Sequence, residues 1–194
     1  MPLSKTHKQN TRDKILDAAG LLFRRHGFDG VGIDKIMVQA GLTRGGFYAH
    51  FDSKADLFNA VLSQEPALKR MLDERQSESR DGSLQGTLDV LATYLDPGNT
   101  DFVTSSCPMV SLARDVDKGG PPARDALTKV ITDLTALFKH GMSDDGQKNR
   151  DDRALSVLAL CVGGVTIART ANNPALAQKI LSACEHEAQK LLTE

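Results

Sequence analysis

Apolar residues recur every three or four positions along most of the chain, whereas strict alternation of apolar and polar residues is hard to find. Because that spacing lines one face of a helix, the pattern predicts an all-α fold. Clusters of Gly, Pro and Asn separate the periodic segments. The predicted helices cover residues 11–26, 33–40, 44–50, 53–74 with a split at Pro66, 86–95, 101–117 as one helix or two, 122–140, 153–170 and 174–192.

Short polar residues precede several of these helices and predict where they begin. Asn10 and Thr43 stand where a side-chain oxygen can cap the first turn of the following helix. Ser53 and Asp56 have the spacing of a capping box. Gly41 lies between two short predicted helices, where a backbone with positive φ is needed for a tight turn.

Residues 33–51 carry the strongest local signal in the chain. Two short helices flank the turn at Gly41, and Leu42, Phe47 and Phe51 are spaced to fix the second helix against a core. This arrangement predicts a helix-turn-helix, a motif whose second helix enters the major groove of DNA.

The polar residues of this segment suit a nucleic-acid partner. Arg44, Gly45, Tyr48 and His50 are left on the outer side of the second helix, where its free N–H groups attract anions. Glycine at position 45 lets the backbone approach a bulky partner closely. Tyr48, His50 and Lys54 can donate hydrogen bonds to phosphates.

Charge changes this picture only locally. The chain has 24 Lys and Arg against 25 Asp and Glu, which excludes a uniformly basic nucleic-acid coat. The first 60 residues hold nine basic and six acidic residues, and the remainder holds fifteen and nineteen. This division indicates that the N-terminal part meets an anion.

Other site classes lack a sequence signature. The three cysteines are far apart with no Cys-x-x-Cys pair, which argues against a disulfide framework and a zinc site and fits a reducing cytoplasm. Neither a secretory signal nor an apolar stretch long enough to span a bilayer is visible. We therefore expect a cytoplasmic protein with no membrane contact, no metal and no cofactor.

The run over residues 11–62 resembles the N-terminal domain of TetR/AcrR-type transcriptional repressors. Its distinctive order is Gly27-Phe28, Ala40-Gly41, then Gly46-Phe47-Tyr48-x-x-Phe51 and Ser53-Lys54. The resemblance implies a DNA-binding domain over residues 1–52 and a helical ligand-binding and dimerisation domain over residues 53–194. It further implies a non-enzymatic, homodimeric repressor that leaves its inverted-repeat operator when a small-molecule effector or a thiol modification acts on it.

The resemblance also implies roles for single residues. Thr43, Arg44, Gly45 and Phe47 would face the major groove, while Tyr48, His50 and Lys54 would hold phosphates. Family members often carry Ser or Thr where this chain has Gly32, so the backbone N–H of Ile33 would replace that contact. The basic residues Lys5, His7 and Lys8 would form an arm onto DNA. The predicted DNA-binding set is Gly32, Ile33, Thr43, Arg44, Gly45, Gly46, Phe47, Tyr48, His50 and Lys54.

The predicted helix over residues 153–170 is apolar around most of its circumference. A surface helix shows one apolar stripe, so a second apolar side needs a second partner. A neighbouring subunit is one such partner, and a central position within a monomer is the alternative. The predicted dimer-interface residues are Val157, Leu160, Gly163, Gly164, Ile167, Ile180 and Cys184.

Cys107 follows Ser and Thr residues and precedes Pro108, a pattern typical of a helix start. Free N–H groups there would lower the pKa of the thiol and favour a thiolate, which suggests an oxidant or electrophile sensor. A small buried apolar residue is the alternative, and a thiol-reactive enzyme or a helical adaptor using Cys107 are further ones. The predicted ligand or sensing residues, each of which could equally be plain core, are Cys107, Phe102, Met109, Leu112, Leu134 and Phe138.

Overall fold

A computed structural model describes residues 5–78, 83–101, 107–142 and 149–193, and every regular element among these residues is a helix. The all-α prediction is confirmed. The α-helices are α1 Lys5–His26, α2 Ile33–Gln39, α3 Lys54–Leu62, α4 Ala67–Glu78, α5 Ser83–Leu95, α6 Pro108–Ser111, α7 Pro121–His140, α8 Arg150–Ala168 and α9 Pro174–Thr193. The 3₁₀ helices are Arg44–Ala49, Pro97–Asn99 and Ala113–Gly119.

Several predicted helix ends are wrong. Helix α1 begins at Lys5, so Asn10 lies inside the helix and caps nothing. Contacts one turn apart hold this extension, since Gln9 donates to Asp13 at 2.7 Å and Thr11 Oγ1 donates to the carbonyl of His7 at 2.9 Å. Helix α4 also continues through the first part of the predicted loop over residues 75–83.

Other predicted ends are confirmed. The Ser53 hydroxyl accepts from the Asp56 N–H at 3.0 Å, and the Asp56 carboxylate accepts from the Asp52 N–H at 3.1 Å. This reciprocal capping fixes the start of α3. Pro66 lies in the break between α3 and α4, as its missing N–H predicts.

Contacts between residues divide the chain into two compact units. The first comprises Met1–Gln64 with Ser111–Leu127, and the second comprises Glu65–Val110 with Thr128–Glu194. The predicted functional division into residues 1–52 and 53–194 stays a prediction. By contact, the first unit also takes in α3 and a later segment of the chain.

The core of the first unit is aromatic. The rings of Phe23 and Phe58 meet edge to face with centroids 5.3 Å apart, and Phe28 packs against both rings. Ile15 and Leu22 of α1 are buried beside them. Burial of these side chains holds α1 and α3 together and fixes the loop that leads into α2.

The 3₁₀ helix Ala113–Gly119 packs on this unit through polar contacts. Asp115 accepts from the Phe28 N–H at 2.9 Å, and Asn59 donates to the carbonyl of Gly119 at 3.1 Å. Lys118 pairs with Asp29 at 2.7 Å, and its hydrogen bond lowers the pKa of the Asp29 carboxyl. A segment distant in sequence thereby holds the loop that leads into α2.

The second unit is built around α8. Its residues Val157, Cys161 and Val165 are fully buried. A Cβ added at Gly164 would lie 2.9 Å from Cys184 Sγ, so this glycine allows α9 to approach α8 closely. This close contact between two helices lies within one chain.

Candidate nucleic-acid interface

The turn after α2 is set by backbone hydrogen bonds around one glycine. Gly41 has φ of 70°. Its N–H donates to the carbonyl of Val38 at 3.0 Å, and the N–H of Leu42 donates to the carbonyl of Met37 at 2.9 Å. This pair of bonds is the Schellman arrangement, which ends a helix with a left-handed residue. The predicted positive-φ turn at Gly41 is confirmed.

The segment after the turn is a 3₁₀ helix over Arg44–Ala49 instead of the predicted α-helix over residues 44–50. Gly45 and Gly46 are weak helix formers, which favours the shorter and tighter element. Thr43 precedes it in an extended conformation, and its side chain makes no capping hydrogen bond.

Two aromatic residues hold the 3₁₀ helix against the unit. Phe47 is 0% exposed and Phe51 is also buried, with ring centroids 5.9 Å apart. A Cβ added at Gly46 would lie 3.7 Å from Met37 Cε, an ordinary packing distance. The expectation that Phe47 faces a DNA groove is wrong, because its side chain lies wholly inside the unit.

The opposite side of the 3₁₀ helix is exposed. Thr43, Arg44 and Gly45 are exposed, and Tyr48 is 60% exposed. A Cβ added at Gly45 would meet nothing within 4 Å among the described residues. We call Thr43, Arg44, Gly45 and Tyr48 the outer face. It offers one cation, two hydroxyl groups and bare backbone.

Arg44 forms an ion pair that the sequence pattern does not predict. Its Nη1 donates to Asp34 Oδ2 at 2.9 Å, and the two side chains are 65% and 64% exposed. The pair joins α2 to the 3₁₀ helix across the turn. The two residues lie ten positions apart, so no helical repeat could have predicted the contact.

Lys54 is engaged within the unit. Its Nζ donates to the carbonyls of Phe28 and Val31, each at 3.1 Å, and lies 4.1 Å from the centre of the Phe28 ring. These contacts tie the loop before α2 to the start of α3. A phosphate contact by Lys54 stays a prediction, but the ammonium already has two acceptors in this structure.

His50 is half-buried at the end of the 3₁₀ helix. Its Nδ1 is buried with no hydrogen-bond partner among the described residues. Burial lowers the pKa of His50, and the charges of Lys8 and Arg12 on α1 lower it further. Both causes disfavour the protonated imidazolium of His50.

The predicted basic arm is part of α1. Lys8 and Arg12 lie one turn apart on this helix, and the Arg12 guanidinium stacks over Phe51 at 4.7 Å from the ring centre. Lys8 and Arg12 thus place two positive charges near His50 at the end of the 3₁₀ helix. Lys5 and His7 belong to the same helix, so no separate arm exists over residues 5–10.

Gly32 leaves the start of α2 without a side-chain cap. The residue is extended, and the N–H of Ile36 donates to its carbonyl at 3.2 Å. Nothing lies within 4 Å of a Cβ added at Gly32 among the described residues. The contact between the Ile33 N–H and a DNA phosphate stays a prediction. Ile33 is half-buried at the start of α2, and no side chain at position 32 stands in front of it.

Comparison with known proteins identifies this arrangement. Residues 15–61 match the family model of bacterial regulatory proteins of the tetR family, a stretch that holds α2, the turn and the 3₁₀ helix. Residues 15–61 therefore form a TetR-family domain. The family resemblance that the sequence predicted is confirmed, and the family is one of regulatory proteins, not of enzymes.

Other regulators resemble this chain in sequence. The probable acrEF/envCD operon repressor of Escherichia coli strain K12 is 32% identical over 71 residues, 37% of this chain and 32% of the repressor. The chain thus matches about a third of the length of that relative. The uncharacterized HTH-type transcriptional regulator YxaF of Bacillus subtilis strain 168 is 24% identical over 169 residues, 85% of this chain and 88% of YxaF.

The fold agrees with a solved structure along almost its whole length. The crystal structure of the reduced form of Escherichia coli NemR has a TM-score of 0.79 and 20% sequence identity, and the match covers 93% of this chain and 96% of that one. This similarity establishes the all-α TetR fold, including the C-terminal helices.

The predicted sensing residues are mostly core. Cys107 is 2% exposed, and Leu134 and Phe138 lie with it in the main core of the second unit, with Met109 packed against it. Leu112 is also buried but belongs to the first unit. Phe102 lies outside the described residues.

The three cysteines are neighbours in the second unit. Burial raises the pKa of Cys161, and the nearby Cys107 and Cys184 raise it further. Burial also raises the pKa of Tyr94, with Cys107 as its main electrostatic neighbour. The predicted thiolate at a helix start finds no support here, because α6 is a single turn and the thiol of Cys107 is buried.

An open groove of about 460 Å³ lies between α5 and α9. None of the predicted sensing residues lines it. It is lined by Gln85, Leu88, Asp89, Ala92, His186, Gln189, Lys190 and Thr193.

The predicted dimer residues divide by exposure. Val157 and Gly164 are buried within their own chain and have no surface that a second copy could contact, so the predicted interface role is wrong for these two residues. Ile167 is 56% exposed, and Leu155 and Leu176 are each about half exposed. Leu160, Gly163, Ile180 and Cys184 are partly exposed.

None of the helices among the described residues is long and apolar enough to cross a membrane.

Proposed function

We propose that this TetR-family chain is a transcriptional regulator that binds duplex DNA through its outer face. The observation that carries the proposal is the division of the 3₁₀ helix into a buried side, formed by Phe47, and an exposed side that includes Arg44 and Tyr48. A helical adaptor has no need to present these polar side chains outward.

The geometry assigns different tasks to the outer face. Gly45 carries no side chain and has open space before it, so the backbone can lie against the floor of a major groove. Arg44 can donate two hydrogen bonds to guanine O6 and N7, the commonest specific contact in the major groove. Thr43 and Tyr48 can donate to phosphates, which fixes the register of the protein on DNA.

We propose that two copies associate through one surface of α8 and α9. Leu160, Gly163 and Ile167 share a face of α8 at helical spacing, and Leu176 and Ile180 share a face of α9. This spacing gives each of the two helices a stripe of partly exposed apolar residues, and exposed apolar surface of this kind can mark an interaction site in soluble proteins. A two-fold dimer presents two outer faces to an inverted repeat.

We further propose that the regulator is a repressor released by a small-molecule ligand, with thiol modification as the less supported alternative. Cys107 and Cys161 are buried, and burial raises the pKa of Cys161, so neither thiol is poised as a nucleophile. The same burial argues against an enzyme that uses Cys107.

Selection from a library of random 30-base-pair duplexes tests the proposal. The wild-type protein should enrich an inverted repeat whose half-sites are about one helical turn apart. Binding of the enriched duplex, followed by fluorescence anisotropy, should weaken steeply between about 50 and 200 mM salt because phosphate contacts release counterions. A selected pool no different from the starting library would refute DNA binding.

A further inference from the structure

A carboxylate lies directly beside the arginine of the outer face. Asp34 in the first turn of α2 accepts a hydrogen bond from Arg44 Nη1 at 2.9 Å. The turn at Gly41 reverses the chain so that Arg44 begins the 3₁₀ helix next to Asp34. The contact is therefore a product of the helix-turn-helix geometry.

The pair has little value for folding or for attraction to DNA. Both side chains are about two-thirds exposed, and ion pairs in such positions contribute little to stability. A negative charge on a DNA-facing surface also weakens the pull on phosphates, because nonspecific affinity comes from net positive charge. Asp34 also favours the start of α2, as any carboxylate in a first helical turn does, whereas its contact with Arg44 acts on the orientation of that side chain.

Orientation matters because so much depends on one side chain. Gly45 and Gly46 carry no side chains, so base reading within residues 44–46 falls to Arg44. A guanidinium that swings freely meets any phosphate equally well, whereas reading guanine requires two parallel hydrogen bonds in one geometry.

The observed contact leaves the reading groups available. Asp34 Oδ2 occupies one hydrogen of Arg44 Nη1. The guanidinium has five N–H hydrogens, so the second hydrogen of Nη1 and those of Nη2 can still reach guanine O6 and N7.

We propose that Asp34 is a positioning residue for sequence recognition, which holds the Arg44 guanidinium toward a guanine edge and keeps it from the phosphates. The inference rests on the proposed DNA binding of the outer face. Asp34 lowers the affinity for unrelated DNA and raises the ratio of specific to nonspecific affinity.

The test compares two duplexes: one enriched by the wild-type protein and one of the same composition in scrambled order. Asp34→Asn should bind the scrambled duplex more tightly and lose about tenfold in the affinity ratio, the scale of one lost base contact. Asp34→Glu, which keeps a carboxylate, should retain part of the ratio. Arg44→Ala alone should abolish most of the preference for the enriched duplex over the scrambled one.

A double variant separates orientation from charge. With Arg44→Ala already present, Asp34→Asn should change the ratio by less than about twofold, since coupled residues are not additive. If Asp34→Asn instead raises the affinity for both duplexes equally in either background, Asp34 acts by charge alone and the inference is wrong.

Two further outcomes are distinct from these. A wild-type protein that discriminates no duplex from another overturns the proposed function, and the inference with it. If Asp34→Asn keeps the wild-type ratio of specific to nonspecific affinity, the inference about Asp34 is wrong, but the proposed DNA binding still stands. Thermal unfolding of Asp34→Asn should match the wild type, and a collapse of the fold would show that the pair is structural and contradict the positioning role.

Discussion

Single residues show that apolar spacing predicts burial better than it predicts polar partners. Phe51 is buried, as its spacing predicts. Phe47 is buried too, although the family resemblance implied that it contacts a DNA groove. Lys54 reaches carbonyls more than twenty positions earlier in the chain, and the Asp34 carboxylate meets Arg44 across a turn. Such contacts depend on the tertiary fold, so no local pattern encodes them.

Lys54→Met should destabilise the first unit by about 1–2 kcal/mol, because two carbonyl oxygens lose a charged donor. Urea unfolding of the variant measures this cost. Lys35→Met, at an exposed position of α2, is the matched control and should have little effect. Because the Lys54 ammonium is engaged within the unit, the salt dependence of DNA binding should stay close to that of the wild type, while the urea midpoint falls. A salt slope reduced by about one, with unchanged stability, would instead identify a phosphate contact.

His50 should make folding stability depend on pH. Burial, Lys8 and Arg12 hold the pKa of His50 below its ordinary value of 6.5, so the unfolded chain binds a proton more readily than the folded one. Stability should therefore fall as the pH drops below about 6.5. His50→Gln should lessen this acid loss, as measured by thermal unfolding at pH 7.5 and 5.5. An imidazole NMR titration midpoint above 6.5 would contradict this reasoning.

Helix ends and turns are the elements that sequence predicts well when the signal is local. The Gly41 turn and the Ser53 cap each involve residues within a few positions of one another, and both are confirmed. The start of α1 is wrong because contacts one turn apart extend the helix past Asn10. Residues 44–49 form a 3₁₀ helix that contains the weak helix formers Gly45 and Gly46, and Gly46 lies over Met37, a feature that helical periodicity does not register.

The glycine pair in α8 gives a matched test of helix packing. Gly164→Ala places a methyl group 2.9 Å from Cys184 Sγ, and such overpacking costs about 1–3 kcal/mol. Gly163→Ala meets nothing within 4 Å among the described residues of its own chain, so it should not disturb the packing of α8 on α9. Urea unfolding at one protein concentration should show a larger loss of stability for Gly164→Ala than for Gly163→Ala. The reverse order of the two variants would show that α8 and α9 do not pack as described.

The whole chain combines features that sequence predicts with some that it does not. The helical class and the family follow from periodicity and from the motif order over residues 11–62. The sequence does not predict that residues 111–127 belong to the first unit, because the polar contacts of this segment with Phe28 and Asn59 join distant parts of the chain. Only the structure separates the inward residues of α8 from those on its exposed face.

Dimerisation should depend on that exposed face. Ile167→Asp places a charge where an apolar side chain is 56% exposed, and its burial against a second copy would be costly. Sedimentation should show a dimer for the wild type and a monomer for this variant. Ala136→Asp, at an exposed position of α7, should leave the mass unchanged. A dimeric Ile167→Asp protein would exclude this surface as the interface.

Steric blocking of the outer face tests DNA binding most directly. Gly45→Leu adds a side chain into open space, and Ala136→Leu adds one at an exposed position of α7. Both variants should fold, as shown by thermal unfolding. In anisotropy titrations with the enriched duplex, we expect Gly45→Leu to weaken binding at least about tenfold, or 1.4 kcal/mol, because the backbone can no longer enter the groove. Ala136→Leu should bind like the wild type. Equal affinity of Gly45→Leu and wild type for that duplex would contradict the claim that the outer face meets DNA.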